Sequence, residues 1–258
     1  MGRATLLITQ RLMKIPASLI AASVTTLLVG SPFYSSAQDP GAPTSVVREV
    51  SPGIYELGPL RIEKEKNTIT FPGRVNMDKG VLEYLLVGPM GSTHESLLVT
   101  EVPVSDVHMA MLLLGAKGAG IHAPSPDQQP TGQITDEYLK NAPELKGDRI
   151  FINVKWKQGE TDKEVPVEDW IVRAKAAKPA ERGPWLYNGS MFGADGKFLA
   201  AGEQAFVALL TYPPALMNNP RKHEADDSLW GVNEKVVPAV DTPVEISIRL
   251  EPNAVKPQ

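Results

Sequence analysis

The sequence predicts an α+β fold: a mainly antiparallel β sheet with one or two packed short helices, in a single domain. Three observations predict it. Short apolar segments with period-two alternation recur along the chain. They are punctuated by 23 Pro and 21 Gly, and few long helical patterns lie between them. No Pro/Ser linker divides residues 53–252, so these segments belong to one core.

The N-terminus reads as a secretory signal. Arg3, Arg11 and Lys14 form a basic n-region, Ile15–Gly30 is apolar and small, and Ser35-Ser36-Ala37 is a small-x-small cleavage site before Gln38. The apolar stretch is shorter than the roughly 20 residues of a spanning helix. Residues 1–37 are therefore expected to leave an exported, periplasmic or extracellular protein with no membrane insertion. Met13-Lys14-Ile15 would open a more ordinary signal, which makes Met13 a rival start to Met1. Cleavage takes away three basic and no acidic residues, so the formal charge falls from −4 to −7. Such an acidic chain offers no basic stripe for phosphates, and nucleic acid is not an expected partner. The absence of Cys excludes disulfides, cysteine-ligated clusters, thioether-linked haem and a cysteine nucleophile.

Residues 38–52 read as an exposed leader and 253–258 as a tail. Arg61–Met77 alternates at Ile69 and Phe71 and breaks at Pro72-Gly73. Two nearly all-apolar strands follow, Val81–Val87 and His94–Val99. Ser105 is a candidate N-cap for a helix that Gly115 stops. Ala116–Gly132 is a Gly/Pro/Gln-rich loop, a candidate mobile excursion. Arg149–Trp156 alternates as a half-buried strand, Val165–Val167 is extended, and Glu168–Ala177 reads as a short helix. Trp185–Phe192, the Asp195-Gly196 turn and Lys197 onward suggest a hairpin. Glu203–Tyr212 is another strand, and Val244–Leu250 alternates as the last.

Gly88-Pro89-Met90-Gly91-Ser92 is expected to join the two apolar strands as a hairpin. Proline suits position i+1 of a type I turn, and Gly91 would supply the left-handed residue. That register sets Leu86 opposite His94 and Glu83 opposite Leu97. Glu83 and Glu95 then share one face, with His94, Tyr84 and Ser96 on the other. A one-residue slip would join Glu83 to His94 instead.

Ionisable groups are costly to bury unless paired. Acids and imidazoles inside such apolar runs therefore mark a candidate site, with Glu83, Tyr84, Glu95, His94 and His108 as candidate ligand-binding residues. Neighbouring carboxylates can share a proton, bind a cation or perform acid–base work. His94, Glu95 and His108 could also hold a divalent metal, since imidazole and carboxylate suit zinc and similar ions. Their spacing matches no specific metal motif. In the structural alternative each acid pairs with Arg or Lys and each His is a satisfied core or helix-end residue. His122 and His223 read as solvated. Asp226-Asp227 lacks the order of a calcium loop. Asn188-Gly189-Ser190 fits a glycosylation acceptor, yet beside Trp185 and Tyr187 it reads as a strand with a close backbone approach at Gly189. No catalytic residue is assigned, because no nucleophile elbow, phosphate loop or dinucleotide fingerprint occurs.

The run from Gly80 through Glu83, Tyr84 and His94-Glu95-Ser96 to His108 and Gly115 resembles the YdjY-type domain of exported bacterial proteins. Trp185-Leu186-Tyr187-Asn188-Gly189-Ser190, Pro214-Ala215-Leu216 and Pro243-Val244 are similar to that family's second half. The resemblance covers roughly residues 53–252 and implies an exported, soluble single unit; it implies no activity and no catalytic residue. Three functions stay open: a non-catalytic binding or accessory domain with a small-molecule or protein partner, a metal-dependent hydrolase or other metalloprotein, and a scaffold without a small-molecule site.

Overall fold

A computed structural model describes residues 45–119, 145–174, 177–193, 195–221 and 230–252. Gln38–Gln258 is one compact unit. The signal segment, the C-terminal tail from Asn253, His122, His223 and Asp226-Asp227 lie outside the described residues, as does the expected loop from Gly120 onward. In chain order the elements are β1 (Val47–Ser51), β2 (Ile54–Leu57), β3 (Leu60–Glu63), β4 (Thr68–Val75), β5 (Val81–Leu82), β6 (Tyr84–Val87), β7 (Ser96–Val99), α1 (Val104–Leu113), β8 (Asp148–Gln158), β9 (Thr161–Pro166), β10 (Ile171–Arg173), β11 (Lys178–Pro179), β12 (Trp185–Tyr187), α2 (Leu199–Glu203), β13 (Ala205–Ala208), β14 (Met217–Asn218), β15 (Trp230–Val232) and β16 (Pro243–Leu250). Single 3-10 turns occupy Thr93–Glu95 and Val167–Trp170.

The expected α+β sheet with packed helices is corrected to a β-barrel. Strands β4, β16, β8, β12, β14, β13, β6 and β7 pair in that order, and β7 returns to β4. Closure pairs each of these eight strands on both sides and places the core inside the ring, where Ile69, Phe71, Leu86, Leu98, Ile150, Ile152, Trp185, Val207, Ile246 and Ile248 are buried. Strands β1, β2 and β3 extend the sheet beyond β4, and β11, β10, β15 and β5 make a second, four-stranded sheet. The fold remains β-rich and a single domain.

Three local expectations also change. Glu168–Ala177 is not a helix: a 3-10 turn through Trp170 feeds directly into β10. Part of the expected leader is structured, because Val47–Ser51 pairs with β2 while staying exposed. Helix α1 is entered through Pro103 with no side-chain cap, rather than through Ser105. Its stop at Gly115, with φ +92°, is as expected.

The largest correction concerns the apolar pair, because β6 and β7 are parallel, with Tyr84 beside Ser96, Leu86 beside Leu98 and Val87 beside Val99. Pro89 does sit second in a turn closed by the Gly91 N–H on the Gly88 carbonyl at 3.0 Å. Gly91, however, has no positive φ, so the hairpin bulge never forms. The chain instead takes a second reversal through Thr93–Glu95, pinned by Asn76 Nδ2 donating to the Thr93 and Ser96 carbonyls at 2.6 and 2.7 Å. Two reversals leave β7 running in the direction of β6. Strand β7 thus lies between β4 and β6, which run antiparallel to one another, and β14 lies in the same way between β12 and β13. The two three-strand units meet where β6 pairs antiparallel with β13.

Pro72 is tolerated within β4 for a local reason. Its carbonyl accepts from Thr100 Oγ1 at 2.7 Å, on the edge where the partner of β4 changes from β3 to β7. The missing N–H falls in that gap and removes no ladder bond.

Candidate functional site

Glu83 stands between β5 and β6, at the point where the chain leaves the small sheet and enters the barrel. Its N–H donates to the Glu95 carbonyl at 3.0 Å, and its own carbonyl accepts from the Leu209 N–H at 2.8 Å. These bonds hold the two acids beside each other although the pairing is parallel. Tyr84 follows, half-buried against Ala205, Ala208, Ala215 and Tyr212. The Tyr84 and Tyr212 rings meet edge to face at 6.2 Å. Tyr212 Oη donates to Glu203 Oε2 at 2.7 Å, which brings a third carboxylate to the cluster.

The electrostatics are one-sided. Burial raises the Glu83 carboxyl pKa and the nearby Glu95 raises it further, with His94 opposing. Burial is likewise the main cause of the upward shift of the Tyr84 phenol, reinforced by Glu203, Glu83 and Glu95. Although Glu203 is exposed as a residue, the surroundings of its carboxyl raise its pKa, and the Tyr212 hydrogen bond partly offsets this. Among the described residues no Arg or Lys forms an ion pair with Glu83, Glu95 or Glu203. The nearest cationic candidate is His94, with Nε2 at 3.7 Å from Glu95 Oε1 and a side chain 79% exposed.

Four of the five expected site residues, Glu83, Tyr84, His94 and Glu95, therefore come together. The fifth does not. His108, on α1, accepts or donates at Nδ1 with Tyr187 Oη at 2.8 Å. Its ring packs on Phe198 at 4.8 Å between centroids, and burial lowers its pKa. The Tyr187 phenol is pushed up by burial, so the pair is a hydrogen bond between two neutral groups whose donor is set by the imidazole tautomer. His94 stays with Glu95 and His108 with Tyr187. Among the described residues no three His, Asp or Glu side chains are grouped to hold a metal ion, so the set His94, Glu95 and His108 is not assembled.

The segment after β12 serves the fold. Asn188 is buried, with Nδ2 donating to the Pro213 and Ala215 carbonyls at 2.9 and 3.0 Å and Oδ1 accepting from Asn218 at 2.9 Å. Its amide is thus unavailable for glycosylation in the folded chain. Ser190 Oγ donates to the Pro214 carbonyl and accepts from the Ala200 N–H. Gly189 has φ +80°, with the Gly118 backbone close by, as a near approach there requires.

Sequence reasoning missed Glu203 and Tyr212. The signal for Glu203 was present: like Glu83, it is an acid at the mouth of an almost wholly buried strand, Ala205–Ala208. Tyr212 lies in the connection after that strand, and only the fold brings it to Tyr84.

A family model, the YdjY domain, matches residues 60–249. No curated protein and no solved structure matches the chain.

Proposed function

The chain belongs to the YdjY domain family, and from that premise we propose that it works as an exported, non-catalytic binding or accessory domain. Its contact is the Glu83–Tyr84–Glu95 cluster with His94, Glu203 and Tyr212 at its margin. One observation carries this reading. Three carboxylates gather around a half-buried phenol, and no Arg or Lys among the described residues neutralises any of them. Acids used only to specify a core are ordinarily capped by a base. A cluster left without one gains by recruiting a positive group, and a protonated amine supplies both the charge and the donors. The partner is therefore a cation-bearing small molecule or a protein side chain of that kind in the exported compartment. Export itself rests on the N-terminal sequence pattern.

Native mass spectrometry and elemental analysis of mature protein from that compartment test the reading, together with calorimetric titration with putrescine. Expected is a co-purifying species, or putrescine binding that weakens at least about tenfold, some 1.4 kcal/mol, in Glu83→Gln and Glu95→Gln. A bare mass combined with no response to putrescine would overturn it.

A further inference from the structure

A concavity lies on the outside of the barrel wall, away from the carboxylate cluster. It has a volume of about 530 Å³, within the range of small-molecule sites. Its floor is laid by the register. One rung is Thr68, Arg249 and Phe151 on β4, β16 and β8; the next is Ser247, Asn153 and Pro166 on β16, β8 and β9. Alternation turns all of these outward, since Ile152, Ile246 and Ile248 between them are buried. Glu168, Arg182 and Gly183 form the wall.

Glu168 is the informative member. It is only 3% exposed, and its Oε1 accepts from the Gly183 N–H at 3.2 Å, Trp185 Nε1 at 3.1 Å and Arg221 Nη2 at 2.7 Å. Oε2 accepts no hydrogen bond among the described residues. Nor is it sealed in the core, where the one unpartnered side-chain polar atom among the described residues is Trp230 Nε1. A fixed carboxylate thus borders the cavity with one oxygen committed to the fold and one to spare.

The remaining chemistry narrows what could use that oxygen. Two of the charges at the cavity wall are matched: Arg221 neutralises Glu168, and Arg182 is held by both Asp169 oxygens at 2.8 and 2.7 Å. Glu164 accepts from Asn153 at 2.9 Å, and the Arg249 guanidinium lies 4.5 Å from the centre of the Phe151 ring. The lining carries two acids, Glu164 and Glu168, and two bases, Arg182 and Arg249, so it holds no net charge that would select an anion or a cation. What remains is a row of short-range partners: the Ser247 hydroxyl, which has no hydrogen bond among the described residues, the Asn153 amide, the spare lone pairs of Thr68 Oγ1 and Glu168 Oε2, and the flat Phe151–Arg249 stack. Hydroxyl groups, which donate and accept at once around a ring with an apolar face, match that set.

We infer that this outer cavity is a binding site for a small neutral polyhydroxylated molecule of the mono- or disaccharide class, anchored on Glu168 Oε2, Asn153 and Ser247. The test titrates the folded chain with glucose, galactose, N-acetylglucosamine and maltose, followed by amide chemical shifts, with putrescine and inorganic phosphate as charged controls. Glu168 is unsuitable for substitution because its Oε1 holds the fold. Ser247→Leu and Asn153→Leu fill the floor from two different strands, and circular dichroism checks that each is folded. Expected is saturable binding of at least one sugar, shifts centred on Asn153, Ser247 and Gly183, and at least a tenfold loss of affinity in whichever variants fold. Absence of sugar binding at tens of millimolar, shifts centred elsewhere, or a charged control binding this cavity more tightly than every sugar would each overturn the inference. Putrescine shifts confined to Glu83 and Tyr84 would support the separation of this site from the carboxylate cluster.

Discussion

Two acid-bearing regions of this barrel solve the same physical problem in opposite ways. Glu168 is nearly sealed in, yet Arg221 reaches it at 2.7 Å while lying across the Trp185 ring at 5.0 Å and donating to the Glu181 and Gly183 carbonyls. Burial lowers the Arg221 pKa, and Glu168 opposes that fall. Glu83, Glu95 and Glu203 are less deeply placed, but none receives an Arg or Lys among the described residues. The first region is a completed ionic joint between the 3-10 turn, β12 and the chain after β14. The second is an electrostatic deficit at a junction of two sheets. Depth of burial alone therefore does not single out a candidate site; a missing basic partner is the more informative sign.

The comparison predicts its largest effect where the joint is complete. Arg221→Leu strands the Glu168 charge and removes the guanidinium from Trp185, with an expected destabilisation of about 3–5 kcal/mol. Urea denaturation followed by tryptophan fluorescence measures it. A loss no greater than that of an exposed Arg would mean the joint does not hold the fold. Asn188→Ala comes next. It deletes donors to two carbonyls and the acceptor of Asn218 in a sealed site, at an expected cost of about 2–3 kcal/mol. The same denaturation series reads it.

Only one side of this contrast was legible in the sequence, because the Glu168–Arg221 joint spans 53 residues and carries no local signal. Acids set inside apolar runs marked Glu83 and Glu95, and strict alternation marked β8 and β16 almost residue for residue. The direction of β7 was not legible. Apolar residues on both faces suit a central hairpin strand and a parallel strand equally, and a parallel partner ordinarily asks for a longer connection than Gly88–Glu95 provides. The place of Pro89 in its turn is legible but the bulge expected at Gly91 is absent, and the second reversal at Thr93–Glu95 carries no strong turn residue. Barrel closure depends on pairings such as β7 with β4 and β6 with β13, which no local period encodes. Likewise His108 was singled out without its partner, because Tyr187 lies 79 residues further along the chain.

Tyr187→Phe sharpens the comparison from a third direction, since the His108 pair is polar, half-buried and uncharged. Loss of the phenol should cost about 1 kcal/mol by removing a neutral hydrogen bond. It leaves His108 Nδ1 without its hydrogen-bond partner. Because burial holds the His108 pKa below its ordinary value, this group adds stability that is present above the unfolded imidazole pKa and is lost as pH falls through the folded one. His108→Phe should therefore flatten the decline in stability on acidification below about pH 6.5. An unchanged slope would show that the imidazole is not the group titrating there.

The smallest effect, and the one of opposite sign, belongs to Glu83→Gln. Its folded carboxyl holds a proton more tightly than the unfolded one, because burial and Glu95 both raise its pKa. The native state therefore binds more protons, and this group's contribution is fully present below the ordinary carboxylate pKa of about 4.3. It is lost as pH rises through the shifted value. Glutamine keeps the shape and removes that loss, so the variant should match wild type at pH 3.5 and equal or exceed it at pH 7. The gain should stay within about 0.5 kcal/mol, the scale of substitutions outside a packed core. Paired urea midpoints at the two pH values decide the matter. A variant clearly weaker at pH 7 would reveal a cation already serving Glu83 in the folded chain, and the contrast with Glu168 would collapse into a difference of degree.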